Sequence, residues 1–204
     1  HKLYDIVKKL SDGAQVNFTY LADSSQLQVS SGRSRFALST IPAEGFPSMQ
    51  MEQAASTFTL PAKSLASLID KTQFAVSTEE THYNLNGIYM HEKKGDKPML
   101  KVAATDGHRL ATAQMELPQG AQDMPAVIIP RKTIGEVTKL LAETEADVQI
   151  AVSQNQIRFS FGDVILASRL IDGNYPDYEK VIPSGNDKFL EVDSAALTTL
   201  VDRV

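Results

Sequence analysis

Two hydrophobic spacings alternate along the chain. In "QLQVSSGRSRFALSTIPAEGFP" (26–47) and "QIRFSFGDVILASRLIDGNYP" (156–176) apolar and polar residues take turns, as a strand with one buried face requires. In "FTLPAKSLASLIDKT" (58–72) and "VIIPRKTIGEVTKLL" (127–141) a short β-rich run meets a proline, and apolar residues then recur at helical spacing. Pro61 and Pro130 suit the first turn of a helix, where the missing N–H has no partner to lose. The pattern predicts helices over 1–10, 62–74 and 131–142. It predicts strands at 14–21, 25–30, 34–40, 56–60, 85–90, 98–105, 108–116, 125–129, 147–153, 156–161 and 164–170. Asp106-Gly107, between two of these, is a tight-turn signal.

The two spacings recur in a fixed order. Pro61, Lys63, Leu65 and Leu68 align with Pro130, Lys132, Ile134 and Val137. Leu27, Val29, Gly32 and Pro47 align with Ile157, Phe159, Gly162 and Pro176. Two independent matches in one order indicate an internal duplication of a strand–helix–three-strand unit. Residues 1–50 hold one unit without its first strand, 51–187 hold two complete units with the turn-rich linker "PSGNDK", and 188–204 open another. In that last segment Asp193 stands as N-cap where the others have proline, with Leu197 and Leu200 on the apolar stripe. The reading is one whole domain with a partial domain on each side, cut from a longer protein.

Charge sharpens the picture. The 204-residue chain has a formal net charge of −5, which argues mildly against a simple nucleic-acid binder. Yet the three helical segments carry Lys2, Lys8, Lys9, Lys63, Lys71, Arg131, Lys132 and Lys139 against only Asp5, Asp70 and Glu136. Basic residues suit any exposed helix face. All three helices being positive in an acidic chain points further, to a shared basic surface. There is no cysteine, which excludes disulfides, thiolate zinc sites and thiol catalysis. No apolar run approaches a membrane span, and a soluble cytoplasmic protein is expected. Dinucleotide-binding and phosphate-loop glycine patterns are missing, as is the serine nucleophile elbow. "HEKKG" (91–95) lacks the second histidine of a zinc-protease helix, and His82, His91 and His108 fall on separate elements. Neither a catalytic site nor a metal or cofactor is expected.

"SGRSRFALSTIP" (31–42), "YNLNGIYM" (83–90), "ATDGHRLA" (104–111) and "DGNYPDYEKVIP" (172–183) together resemble the bacterial DNA polymerase III beta subunit, the sliding-clamp family, and the resemblance runs the length of the chain. It implies an α+β DNA clamp fold of repeated βαβββ units, helices on one face and antiparallel sheets on the other. It implies three such domains per subunit and a head-to-tail homodimer ring around duplex DNA. The function implied is a processivity factor without catalysis. It would tether the polymerase III alpha subunit, the clamp loader, other polymerases and repair proteins through short peptides that combine a Gln with downstream Leu and Phe. Phosphates attracted to the helix lysines and arginines would be held without reading sequence.

Carried over residue by residue, the resemblance implies a peptide pocket of Leu85, Thr105, Gly107, His108, Arg109, Leu110, Pro176, Lys180 and Val181. Leu85, Leu110, Pro176 and Val181 make an apolar floor, and Gly107 lets a ligand backbone come close. Arg109 and His108 offer hydrogen-bond donors. From the residues alone, Leu110 and Val181 read as core, and His108 reads equally as a turn-adjacent surface residue. Lys180 stands where related clamps often have Arg, with the charge but not the planar fork. Tyr83 would meet DNA beside the eight basic helix residues, with Asn84 next to it where some relatives have a second aromatic. Arg33, Arg35, Phe36 and Leu38 would form the edge strand that pairs with a neighbouring subunit. Two other classes fit parts of the pattern: a DNA-modifying enzyme with tandem repeats, and a stand-alone peptide-binding module.

Overall fold

The computed structural model describes residues 2–46 and 53–203. Pro47 of the second repeat match lies outside the described residues, as does the junction expected between 50 and 51. The chain divides into two compact units, His1–Gln50 and Met51–Val204.

The smaller unit has one helix, α1 (Lys2–Val7), and three strands, β1 (Asn17–Leu21), β2 (Gln26–Ser31) and β3 (Ser34–Ser39). They form one antiparallel sheet in the order β1-β2-β3. Val29 is the one fully buried apolar residue among those described in this unit, and Phe18 and Tyr20 lie exposed on β1. β3 is an edge strand. It carries Arg35, Phe36 and Leu38, whereas Arg33 sits in the two-residue turn that Ser31–Ser34 pairing leaves between β2 and β3. Arg33 therefore does not belong to the edge strand as expected; the hairpin register places it at the tip.

The larger unit contains the duplication. Its first repeat is β4 (Ser56–Pro61), α2 (Ala62–Asp70), β5 (Gly87–Lys93), β6 (Met99–Thr105) and β7 (Leu110–Glu116). Its second is β8 (Val127–Pro130), α3 (Arg131–Ala142), β9 (Asp147–Val152), β10 (Gln156–Phe161) and β11 (Val164–Arg169). Two antiparallel four-stranded sheets result, β7-β6-β5-β8 and β11-β10-β9-β4. Each repeat lends its first strand to the other repeat's sheet. Sequence similarity marks which segments are equivalent but not which pair, so this exchange is a finding of the tertiary structure.

Pro61 and Pro130 end the lent strands and stand as N-caps, one residue before the first helical turn where they were expected. Their φ of −57° and −59° with ψ of 135° and 143° continue the extended chain up to the turn into the helix. Both lent strands lie at sheet edges, where a residue without an N–H is tolerated.

α2 buries Leu65, Leu68 and Ile69, and α3 buries Ile134, Val137 and Leu141. The helices pack on each other and on one core with Phe58, Ile88, Met90, Leu100, Ile150 and Phe159. Lys63, Lys71, Arg131, Lys132 and Lys139 are all exposed on the opposite faces of these helices. β6 departs from alternation: Leu100 to Ala104 are buried without a break, because something also covers the outer face of its sheet. Beyond the second repeat, Asp193 caps α4 (Ser194–Val201), its Oδ1 accepting from the Ala196 N–H at 2.9 Å. Leu197 and Leu200 on that helix are exposed. Among the described residues no helix is long and apolar enough to cross a membrane.

Gly87 marks where the strand exchange is tightest: a Cβ there would collide with the backbone carbonyl of Ile129 on β8. Gly135, on the exposed side of α3, has open space in the same position. Gly87→Ala is expected to lose about 1–3 kcal/mol of unfolding free energy, since backbone cannot yield as a side chain can. Gly135→Ala should lose nothing. Urea titration of both variants checks this, and equal stabilities would contradict the close approach.

Candidate functional site

The β6–β7 connection is a self-contained loop. Strand pairing ends at Thr105 opposite Leu110, so β7 starts two residues later than the pattern predicts. The cause is local. One Asp106 carboxylate oxygen accepts from the backbone N–H groups of His108 and Arg109, both at 3.0 Å, which removes those donors from any ladder. The Thr105 hydroxyl accepts from the Gly107 N–H at 3.1 Å and donates to the Arg109 carbonyl at 2.7 Å. Gly107 has φ +90°, and a Cβ there would touch nothing, so the backbone conformation is what requires glycine. Arg109 Nε donates to the second Asp106 oxygen at 3.0 Å, and its guanidinium lies 5.7 Å from the centre of the Phe74 ring.

The opposite wall is the segment 174–183, which returns from β11 onto the outer face of the other sheet. Tyr175 stacks on Tyr89 of β5, ring centres 4.6 Å apart and nearly parallel. The Tyr178 hydroxyl and His91 Nε2 are 2.8 Å apart, while His91 Nδ1 lies 2.9 Å from the Glu92 carbonyl. A carbonyl can only accept, so Nδ1 carries the proton and Nε2 receives the tyrosine's. Lys101 of β6 reaches Glu179 at 2.6 Å, and Lys93 reaches the same oxygen at 3.1 Å. Burial pushes the Tyr175 hydroxyl up to about 12, and raises Tyr178 and Tyr89 as well, so all three stay protonated and neutral. Asn84 Nδ2 donates to the Asn174 carbonyl at 2.9 Å, tying the turn that ends at Leu85 to this wall.

Between loop and wall lies an open cavity of about 640 Å³. Leu85, Thr105, Gly107, His108, Arg109, Leu110, Pro176 and Val181, eight of the nine expected pocket residues, line it together. Lys180 does not; it turns to solvent and donates to Asp177 at 2.9 Å. The lining also includes Thr112, Asp177, Tyr178, Ile182 and Pro183, which the sequence reading missed. Ile182 and Pro183 were visible as the apolar end of "YEKVIP". Tyr178 had no local signal beyond being aromatic. The floor is apolar and the rim carries donors, a surface suited to a peptide with inserted apolar side chains and exposed backbone carbonyls.

The other expected residues are placed elsewhere. Lys63, Lys71, Arg131 and Lys132 stand exposed on α2 and α3; Lys139 is exposed too but donates to Glu136 at 2.9 Å. Tyr83 is exposed on the turn beside Asn84. In the smaller unit Lys2, Lys8 and Lys9 are exposed, with the Lys8 ammonium 5.8 Å from the Tyr4 ring centre.

Residues 59–177 match the family of the DNA polymerase III beta subunit, central domain, and residues 1–50 match its N-terminal domain. The beta sliding clamp of Caulobacter vibrioides is 46% identical over the whole of this chain and 55% of its own length. That of Escherichia coli K12 is 38% identical over 93% of this chain and 50% of its own length. A sliding clamp from Bartonella birtlesii solved with griselimycin superposes with a TM-score of 0.85 at 48% identity, covering all of this chain and 54% of that one. A Caulobacter crescentus clamp, with polyethylene glycol bound at what is described as a candidate beta-motif tethering region, gives 0.89 at 46% identity over 100% and 55%. The α+β architecture is thus the sliding-clamp fold. The chain spans about half the length of the curated relatives it matches.

The loop has a pH signature. Backbone donation from Arg109 and His108 lowers the Asp106 carboxyl to about 2. Its folded pKa is depressed, so its support of the loop is complete above the ordinary carboxylate value and is lost as pH falls toward 2. The amide resonances of His108 and Arg109 are expected to titrate with a midpoint near 2. A midpoint near the ordinary carboxylate value, around 4, would show that the turn is not held by these bonds.

Proposed function

We propose, from the premise that this chain belongs to the DNA polymerase III beta subunit family, that it is part of a sliding clamp. In this reading it is a non-catalytic processivity factor that closes as a head-to-tail homodimer around duplex DNA. It tethers replication and repair proteins through the cavity described above, and it acts in the cytoplasm. The observation that carries the reading is the meeting of Leu85, Thr105, Gly107–Leu110, Pro176 and Val181 around one apolar-floored cavity. These residues come from three separate stretches of sequence, and they are the ones that the family resemblance implies for a peptide pocket.

The chemistry supports two kinds of contact. At the cavity, apolar side chains of a Gln-, Leu- and Phe-containing peptide would fill the floor while His108 and Arg109 meet its polar groups. Partners would include the polymerase III alpha subunit, the clamp loader, other polymerases and repair proteins. At α2 and α3, Lys63, Lys71, Arg131 and Lys132, with Tyr83 nearby in sequence, would attract phosphates loosely enough to permit sliding. Lys2, Lys8 and Lys9 of α1 would act likewise. Processivity then follows from tethering, which raises the enzyme's effective concentration at the primer end. β3, with Arg35, Phe36 and Leu38, and Arg33 at its turn, would supply the edge that pairs with the neighbouring subunit. Arginines on such an edge restrain unwanted pairing.

A small apolar cleft with few polar anchors is expected to bind such a peptide at roughly micromolar Kd, about −8 kcal/mol. In the full-length subunit, Leu110→Ser should weaken binding more than Lys180→Ala, because it puts a hydroxyl on the floor and removes buried contact. Calorimetric titration of both variants checks this. Unchanged affinity in a folded Leu110→Ser protein would sink the peptide reading.

For DNA, replacing Arg131 and Lys132 together by alanine should lower the slope of log affinity against log salt by about two for a short duplex. Lys139→Ala should change it less, since Glu136 already holds that ammonium. An unchanged slope in the double variant would take α3 off the DNA path.

A further inference from the structure

We propose that Lys101, which does not itself line the cavity, is a positioning residue for it: through Glu179 it holds the Tyr178–Val181 turn, and with that turn the apolar wall, in the shape that binds peptide. The proposal rests on the peptide reading of the cavity.

The turn has little hold of its own. Tyr178–Val181 is a single 3₁₀ turn. The two backbone bonds that join it to its flanking residues, Lys180 N–H to the Asp177 carbonyl and Ile182 N–H to the Glu179 carbonyl, are long, at 3.3 and 3.4 Å. The residues after it, through Asp193, form no regular element. Along the turn the roles divide. Pro176, Val181, Ile182 and Pro183 face the cavity, with Val181 69% exposed, so these residues make no core contact strong enough to fix them. Tyr178, which also borders the cavity, and Glu179 reach the sheet, and they carry the attachment.

Lys101 is the unusual member of that attachment. It sits between Leu100 and Val102 in the middle of β6 and is buried. Burying an ammonium costs several kcal/mol unless a counter-charge meets it, so a lysine here without a partner would be strongly unfavourable. Its Nζ lies 2.6 Å from Glu179 and 5.2 Å from the centre of the Tyr178 ring, so the two residues that reach the sheet both meet it. Lys93 meets the same carboxylate from the exposed rim at 3.1 Å. The two lysines hold the Glu179 carboxyl down to about 2, consistent with a pair kept through neutral pH. Glu179 cannot leave without stranding a buried charge, and that requirement fixes the turn more firmly than its own hydrogen bonds do.

The test uses the full-length subunit and a fluorescein-labelled synthetic peptide with one Gln followed by Leu and Phe. Lys101→Met removes the buried charge together with its need for a partner, and Glu179→Gln, at an exposed position, removes the partner and leaves the ammonium unpaired. Each is expected to weaken peptide binding about tenfold, mainly through faster dissociation. Lys101→Met should leave the melting temperature nearly unchanged, whereas Glu179→Gln, which strands the buried ammonium, should lower it. The double variant should bind no worse than the weaker single one, because both changes cut the same link. Amide exchange of Lys180 and Ile182 should accelerate in both single variants, with or without peptide. Leu110→Ser serves as the reference: it removes floor contact and should leave those amides alone. Wild-type exchange and affinity in both single variants would overturn the proposal, as would fully additive losses in the double variant. If wild type fails to bind the peptide, or Leu110→Ser binds it normally, the peptide reading falls instead. The exchange rates then still decide whether Lys101 holds the turn.

Discussion

The larger unit depends on one constraint: β4 and β8 are lent across the duplication. Because each repeat's first strand is hydrogen-bonded into the other repeat's sheet, neither repeat can bury its apolar face alone. Phe58 and Leu60 of β4 complete the second repeat's sheet, and Val127 and Ile129 of β8 complete the first. The helices that follow these strands are thereby brought together, and α2 and α3 close over a single core. A joint core also leaves one outer face per sheet, and it is on such a face that the cavity wall is laid.

The site is built from the second repeat folding back on the first. The segment after β11 crosses to β5 and β6, where Tyr89, His91 and Lys101 receive Tyr175, Tyr178 and Glu179. This double covering is why β6 is buried on both faces. The facing loop needs no such help, since Asp106 and Thr105 satisfy its donors internally. One wall is thus held by its own hydrogen bonds and the other by contacts to the sheet it covers.

Electrostatics separates the two surfaces. The basic residues of α2 and α3 project from the sides of the helices opposite the core, and of these Lys139 is offset by a neighbouring carboxylate. Exposed ammonium groups near a surface attract a polyanion over roughly a Debye length without demanding a fixed geometry. The cavity instead offers an apolar floor with a few placed donors. The two surfaces share one unit because they draw on different residues, the helix faces for one and the loop and returning segment for the other.

The strands, the helices and their order were legible in the sequence because each depends on neighbours within a few residues: alternation at 156–161, the stripe of Leu65 and Leu68, the turn at Asp106-Gly107. The duplication was legible because it is written twice. Most of the floor was legible too, through the resemblance of "TDGHRL" and "NYPDYEKV" to one family's motifs. The strand exchange was not, since similarity between two segments says nothing of which partner each takes. Arg33 was assigned to a strand and lies in a turn, because hairpin register is settled by pairing and not by composition. Lys180 was placed in the pocket by its position in a motif, yet its side chain is drawn away by Asp177. Lys101 was invisible as a site residue: a lysine inside an apolar run carries no sign of its partner. That partner lies 78 positions away, and only the closed fold buries the ammonium and brings the two charges within reach.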